Sequence, residues 1–155
     1  IRRIATQFSF QAPDEFLALV RGDVARAATV DAPIGRHPVN RTSMAVVERG
    51  KEARTHVLPV ERFGAATLVR CTLDTGRTHQ IRVHLAAIGH PLVGDPVYGT
   101  RRMATGVPAF MRQALHAQRL AFVHPVTRRT VSFASPLPAD FAELLDAMRA
   151  TSKQR

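Results

Sequence analysis

The hydrophobic period of the chain changes once between residues 66 and 88, and this change constrains the fold more than any other feature. Apolar and polar residues alternate from Ala66 to Leu73, which predicts a strand. The dipeptide Thr75-Gly76 then predicts a turn. Ile81, Leu85 and Ile88 follow at helical spacing and predict one apolar helix face. The sequence therefore places a strand, a glycine turn and an amphipathic helix in direct succession.

The start of this helix carries several hydrogen-bond donors. Backbone N–H groups at a helix N-terminus and the helix dipole both favour an anion such as phosphate. Arg77 and Arg82 add positive charge beside them. Arg82 follows Ile81, so it lies off the apolar face and can project into a cleft and pair with a carboxylate. The alternative for the hydroxyls is local, because Thr75 or Thr78 could cap the helix.

The other periodic segments predict several short strands and one further helix. Glu15–Arg21 predicts a buried strand, and Arg54–Arg62 predicts a partner for residues 66–73 across a turn at Phe63-Gly64. The remaining expectations are a helix ending within residues 2–10, a loop over 31–40, a helix over 79–88 ended by Gly89-His90-Pro91, a loop over 90–108 with Arg101 and Arg102 exposed, strands over 118–123 and 130–134, and a closing helix over 139–149. Strands with helices between them at irregular intervals indicate one α+β domain over residues 1–155, with a largely antiparallel sheet and flanking helices.

The charge of the chain points to a nucleic-acid partner. The formal net charge is +10, and Lys51 and Lys153 are the only lysines among the 22 basic residues, so 20 are arginines. Arginine forms bidentate contacts with phosphate and stacks on bases, which suits RNA. A solvated basic face is the plainer interpretation.

Other classes of site find little support in the sequence. The single cysteine, Cys71, excludes an intrachain disulfide and a cysteine-based zinc cluster. His79 and His84 are five residues apart and diverge on a helix, so we expect no metal. Neither a Walker loop nor a dinucleotide motif is found, so we expect no cofactor. Apolar runs are short and interrupted by charge, so we expect no membrane span.

Several motifs resemble those of RNA pseudouridine synthases of the RluA/RluD type, in the same order along the chain. The core of the resemblance is Thr-Gly-Arg-Thr-His-Gln-Ile-Arg over residues 75–82. It extends through Phe-Leu-Ala-Leu-Val-Arg-Gly at 16–22, Asp-Ala-Pro-Ile-Gly-Arg-His-Pro at 31–38, Arg-Thr at 54–55, Gly-His-Pro-Leu-Val-Gly-Asp-Pro-Val-Tyr-Gly at 89–99, Leu-His-Ala at 115–117 and His-Pro at 124–125.

The resemblance implies site residues and a missing nucleophile. In that family the arginine at the position of Arg82 pairs with a nucleophilic aspartate, and a neighbouring guanidinium keeps such a carboxylate ionised. Phe16 stands where the family usually has a tyrosine that packs on the uracil, and Leu115 and Leu120 correspond to residues near the uracil pocket. The nucleophile lies in an upstream His-Arg-Leu-Asp segment, which this sequence does not contain. We therefore expect the C-terminal portion of a catalytic domain, inactive by itself.

The function implied by the resemblance is isomerisation of uridine to pseudouridine in structured RNA, above all large-subunit ribosomal RNA. The enzyme would break the bond between ribose and uracil N1 and rejoin the sugar to C5, without cofactor or metal. The expected RNA contacts are Arg77, Thr78, His79, Gln80 and Arg36. A cytoplasmic monomer is expected. The alternative is an RNA-binding fragment or homologue that lacks the nucleophile. Asp74 is interpreted as a turn residue, and Asp95 as a residue that fixes its loop.

Overall fold

The computed structural model describes residues 14–99 and 105–152. Its elements in chain order are β1 (Glu15–Arg21), β2 (Ala28–Asp31), β3 (Ile34–Arg36), β4 (Met44–Val46), β5 (Arg54–Arg62), β6 (Ala66–Leu73), α1 (Gln80–Ala87), β7 (Leu115–Val123), β8 (Thr130–Ala134) and α2 (Ala139–Ser152). Six strands form one sheet in the order β2-β5-β6-β1-β7-β8, and each neighbouring pair is antiparallel. The predicted α+β class with a largely antiparallel sheet is confirmed.

The two helices cover opposite faces of this sheet, as the alternation of side chains along a strand requires. Leu19 of β1 packs with Phe141 and neighbouring apolar residues of α2. Ala18 and Val20, on the other face of the same strand, pack with Ile81 and Leu85 of α1. Residues 18–20 are fully buried. Strand β1 therefore packs against α1 on one face of the sheet and against α2 on the other.

The segment from 28 to 46 is more regular than the sequence indicates. The expected loop over residues 31–40 is wrong in part, because β2 pairs with β5 and β3 pairs with β4 in a separate two-stranded hairpin. The hairpin packs on α1 through Ile34, which is grouped with Ala53 and Val83 in a small third core. Strands of three residues carry too little periodicity to be found in the sequence.

Helix α1 ends as the Gly-His-Pro signal predicts. Gly89 has φ 84°, and its N–H donates to the Ala86 carbonyl while the N–H of His90 donates to the Leu85 carbonyl. This pair of bonds is the Schellman arrangement. Ile88 is the exception to the predicted apolar face, because it is half exposed while the rest of that face is buried.

Several predicted elements have other bounds in the structure, or lie outside the described residues. The expected helix within residues 2–10 and the arginines at 101 and 102 lie outside them. Strand β7 begins three residues earlier than predicted because Leu115 pairs with Ala18. Helix α2 continues to Ser152. Over residues 14–99 and 105–152 we find neither a helix long and apolar enough to cross a membrane nor a group of three or more metal-ligating side chains.

Candidate active site

A cavity of about 330 Å³ opens where β1, β7 and the start of α1 meet. Six of the residues predicted for the site line it, and they lie on β1, on β7 and at the start of α1. Its walls are Phe16, Leu73, Arg77, His79, Gln80, Ile81, Arg82, Gln113 and Leu115. The cavity therefore combines an aromatic ring and aliphatic side chains with two arginines.

Arg82 is the most constrained charged group of this cavity. Its Nε and Nη2 donate to Oδ2 and Oδ1 of Asp95, both at 2.8 Å. The Arg82 side chain is 11% exposed and that of Asp95 is 0% exposed. The guanidinium carbon also lies 4.9 Å from the centre of the Tyr98 ring. The sequence predicted that Arg82 would enter a cleft and pair with a carboxylate, and the carboxylate found in this structure is Asp95.

Asp95 holds both Arg82 and its own loop. Its Oδ1 also accepts hydrogen bonds from the backbone N–H groups of Val97 and Tyr98 at 2.9 and 3.0 Å. Burial alone would raise the pKa of Asp95, but the bonds from Arg82 and from the two N–H groups outweigh it and hold the pKa below its usual value. The same pairing raises the pKa of Arg82. Arg82 and Asp95 therefore form a buried ion pair in which both groups are charged and the net charge of the pair is close to zero.

His79 is positioned by the same loop. The Tyr98 hydroxyl accepts a hydrogen bond from the Met44 N–H at 2.9 Å and lies 2.9 Å from Nδ1 of His79. Burial and the charge of Arg82 lower the pKa of His79, so the neutral ring can accept the Tyr98 proton at Nδ1. His79 has φ 56° and immediately precedes α1 without capping it through its side chain. Tyr98 therefore links β4, the cavity and the helix start.

Gln80 makes local hydrogen bonds on both sides of its side-chain amide. Its side-chain oxygen accepts from the Thr75 hydroxyl at 2.8 Å and from the Arg77 N–H at 2.9 Å. Its amide nitrogen donates to the Arg54 carbonyl and to the Thr55 hydroxyl. This uses all four hydrogen-bonding positions of the amide, so Gln80 holds the turn in this structure, and the RNA contact expected of it stays a prediction. The alternative of a threonine cap is not found at α1, because no side chain caps this helix and Thr75 binds Gln80.

Of the remaining predicted site residues, two line the cavity and three lie elsewhere. Phe16 and Leu115 lie on the neighbouring strands β1 and β7, where Phe16 pairs with Ala117 and Leu115 pairs with Ala18, and both line the cavity. Leu120 does not line it; this residue is 41% exposed and pairs with Phe133 in the β7–β8 hairpin. Arg36 and Thr78 line a separate depression beside the cavity.

Sequence reasoning missed the roles of Asp95 and Tyr98 at Arg82. Both belong to the Gly-Asp-Pro-Val-Tyr-Gly motif. The signal that could have been used was a carboxylate and an aromatic three residues apart in a loop with three glycine or proline residues.

Comparisons with known proteins agree on one family. The family model described as RNA pseudouridylate synthase matches residues 1–87. The chain is 55% identical over 138 residues to "Ribosomal large subunit pseudouridine synthase D" of Nitrosomonas europaea, covering 86% of this chain and 40% of that protein. The proteins of the same name from Pseudomonas aeruginosa and Escherichia coli K12 are 50% and 46% identical, covering 85% and 88% of this chain and 44% of each relative. The chain thus spans less than half the length of these relatives.

Solved structures give the same result for the fold. Human RNA Pseudouridylate Synthase Domain Containing 1 superposes with a TM-score of 0.71 at 28% identity, covering 96% of this chain and 69% of that chain. Human RNA Pseudouridylate Synthase Domain Containing 4, at 22% identity and a TM-score of 0.72, supports the fold alone.

Proposed function

This chain belongs to the RNA pseudouridylate synthase family, and we propose that the natural protein carrying it isomerises uridine to pseudouridine in structured RNA. The names of the relatives make large-subunit ribosomal RNA the favoured substrate. The net charge of +10 suits that partner. We further propose that the protein acts in the cytoplasm and as a monomer.

The observation that carries this proposal is the convergence of Arg82, Phe16 and Leu115 on one cavity. A flipped uracil needs an apolar, stacking wall, which Phe16 and Leu115 supply. Phe16 has no hydroxyl, so it stacks on the ring and transfers no proton. The nucleophile is an aspartate of the family's upstream His-Arg-Leu-Asp segment, and this aspartate attacks the ribose as the bond to uracil N1 breaks.

The geometry of Arg82 supports a role in orienting that nucleophile. Asp95 occupies the side of the guanidinium that carries Nε and Nη2. The opposite end, with Nη1 and the second proton of Nη2, is free of this pair and matches a second carboxylate in bidentate geometry. We therefore assign Arg82 to orienting the nucleophilic aspartate while Asp95 orients Arg82.

Substitution of Arg82 tests the proposal. In the natural protein, we expect Arg82→Ala to lower the single-turnover rate on an unmodified large-subunit ribosomal RNA transcript by about a hundredfold or more, because roughly 3–5 kcal/mol is lost when a buried pair is broken. Arg82→Lys keeps the charge without the planar fork and should retain part of the activity.

The controls separate catalysis from RNA binding. RNA affinity should change little in both variants, because other arginines supply phosphate contacts. Arg62→Ala, which breaks an exposed pair with Asp23 whose two residues do not line the cavity, is the matched control and should leave the rate unchanged. A near-normal rate for Arg82→Ala would remove this residue from the active site. Tight RNA binding by the wild-type protein without pseudouridine formation would favour the non-catalytic alternative. The 155-residue chain alone, lacking the His-Arg-Leu-Asp segment, should not form pseudouridine.

A further inference from the structure

The proposed reaction moves a proton, and we propose that His79 removes this proton from C5 of the uracil after the ribose has been joined there. This inference rests on the proposed function and assigns a general base to it. C5 carries a hydrogen in uridine and the ribose in pseudouridine, so this hydrogen has to leave as a proton. N1 loses the ribose and has to gain a proton. The cavity therefore needs a group that accepts a proton near neutral pH.

Among the residues that the structure describes, His79 is the one wall residue of the cavity that can accept this proton. Of the nine wall residues, four have hydrocarbon side chains and two have amides, which are not basic. Arg77 and Arg82 also line the cavity, but an arginine side chain stays protonated in proteins. Imidazole has an ordinary pKa of about 6.5, which suits a general base near neutral pH.

The contacts of the His79 ring leave one nitrogen available. Nδ1 lies 2.9 Å from the Tyr98 hydroxyl, and Nε2 has no hydrogen-bond partner within the described part of the chain. The Tyr98 oxygen accepts one bond, from the Met44 N–H, and keeps a second lone pair. In the tautomer that carries its proton on Nδ1, the ring donates to this oxygen and the Nε2 lone pair is free. His79 is an exposed residue, so substrate and water can reach it.

The groups around His79 suit a ring that is neutral before the step and charged only briefly. Burial and the positive charge of Arg82 lower the pKa of His79, and the carboxylate of Asp95 opposes this in part. The neutral ring has a lone pair to accept a proton. The imidazolium then donates from Nδ1 to the Tyr98 oxygen, which stabilises it, and the lowered pKa favours release of the proton to water.

The position of the ring is fixed by the backbone and by Tyr98. His79 has φ 56°, a conformation that is uncommon for residues other than glycine and that recurs at active sites. Its carbonyl accepts the Val83 N–H at 2.9 Å in the first turn of α1. Its ring meets the Tyr98 ring edge to face, with 5.6 Å between the ring centres. Since the Arg82 guanidinium also lies over Tyr98, one aromatic ring holds both side chains beside the cavity.

The step balances without an oxidant or a further reactant. The uracil released from the ribose is an anion, and its C5 forms the new bond to C1′ of the ribose as the nucleophilic aspartate leaves. Nε2 of His79 then takes the proton from C5, and the electron pair of that C–H bond restores the double bond between C5 and C6. The electrons of the bond between N1 and C6 return to N1, which takes a proton from water. The imidazolium gives its own proton to water.

Replacement of His79 by glycine tests this assignment in the natural protein. Glycine adopts a positive φ without strain, and the lost ring leaves room for a small base. The single-turnover rate on an unmodified large-subunit ribosomal RNA transcript is measured with the enzyme in saturating excess. We expect His79→Gly to lower this rate about a hundredfold or more, because a general base contributes about 10²–10⁴-fold, and to change RNA affinity little. Added imidazole should restore part of the rate, in proportion to its neutral form as the pH is varied.

Two further variants complete the series. His124→Gly is the matched control, because the His124 ring accepts the N–H groups of Val126 and Thr127 in the β7–β8 turn and does not line the cavity. It should leave the rate unchanged, with or without imidazole. His79→Asn supplies no base but tolerates a positive φ, so it should lose as much activity as His79→Gly. Rescue of the glycine variant by imidazole shows directly that this variant is folded.

The hydrogen on C5 gives a second measurement. Deuterium at C5 of the target uridine should slow His79→Gly more than the wild type, because removal of this hydrogen then limits the rate. A loss that imidazole does not restore, with the deuterium sensitivity of the wild type, would overturn the inference in favour of a positioning role. Weaker RNA binding with a normal rate at saturation would overturn it in favour of an RNA contact.

The remaining outcomes separate this inference from the proposed function. A near-normal rate and affinity for His79→Gly would overturn the inference and leave the proton to the nucleophilic aspartate. Each of these three contrary results requires product from the wild-type protein, so the proposed function survives them. Absence of pseudouridine with the wild-type protein contradicts the proposed function, and the assignment of His79 falls with it.

Discussion

Replacement of Asp95 by alanine tests whether the buried pair holds the candidate site together. The substitution leaves the Arg82 guanidinium, 11% exposed, without its carboxylate. It also leaves the N–H groups of Val97 and Tyr98 without their acceptor. Removing one member of a buried ion pair costs about 3–5 kcal/mol, because the remaining charge stays desolvated. We expect the free energy of opening of α1 and of residues 92–99 to fall by that amount.

Hydrogen–deuterium exchange of the natural protein, read by mass spectrometry on peptides covering these two segments, measures the change locally. At about 1.4 kcal/mol per tenfold change, the protected amides should exchange roughly 100- to 4,000-fold faster. Glu61→Ala is the matched control, because it breaks a bidentate pair with Arg149 that is exposed. Exposed pairs contribute about 0–1 kcal/mol. Equal, small changes in both variants would refute the reasoning, since they would mean that burial adds nothing to the Arg82–Asp95 pair.

Three further outcomes follow from single side chains. Phe16→Leu should lower single-turnover pseudouridine formation about tenfold or more through lost stacking, whereas Phe16→Tyr should not; chromatographic separation of uridine from pseudouridine after nuclease digestion of the RNA decides. Burial raises the pKa of the Cys71 thiol to about 12, so iodoacetamide at pH 8 should label Cys71 only after unfolding, and rapid labelling of the folded protein would contradict this. Burial lowers the pKa of His84, so its contribution to stability is complete above the ordinary histidine pKa of about 6.5 and falls as the pH drops below it. The loss of Tm between pH 7 and pH 5 should therefore be smaller in His84→Gln.

The long strands could be predicted because local pattern and tertiary environment agree there. β1, β5 and β6 have the predicted bounds, and each presents apolar residues at a spacing of two to a helix or to another strand. The β3–β4 hairpin could not be predicted, because three-residue strands between prolines and glycines show no period. Its regularity comes from contacts such as the paired bonds between Ile34 and Lys51, which are set by the whole fold.

Most residues that line the cavity could be named from the sequence, whereas the hydrogen bonds between them could not. The motif around Arg82 indicated a charged residue off the apolar face, and the structure places it in the cavity. The partner Asp95 is 13 residues further along, across a helix end and a loop, so spacing alone could not identify it. Gln80 shows why a residue type alone does not fix a role: a polar residue at a helix start is as able to satisfy the turn that precedes it as to contact a ligand.

The arginines of the site follow two different electrostatic designs. Arg82 is neutralised in place by Asp95, so what it offers a nucleophile is mainly fixed hydrogen-bond geometry, and little net charge. Arg36 and Arg77 are held by neutral carbonyls and keep their full charge for an incoming anion. Salt screens exposed charges strongly and buried pairs much less. Under the proposed function, we therefore expect salt to weaken RNA contacts made by Arg36 and Arg77 more than it affects the orientation of Arg82 by Asp95.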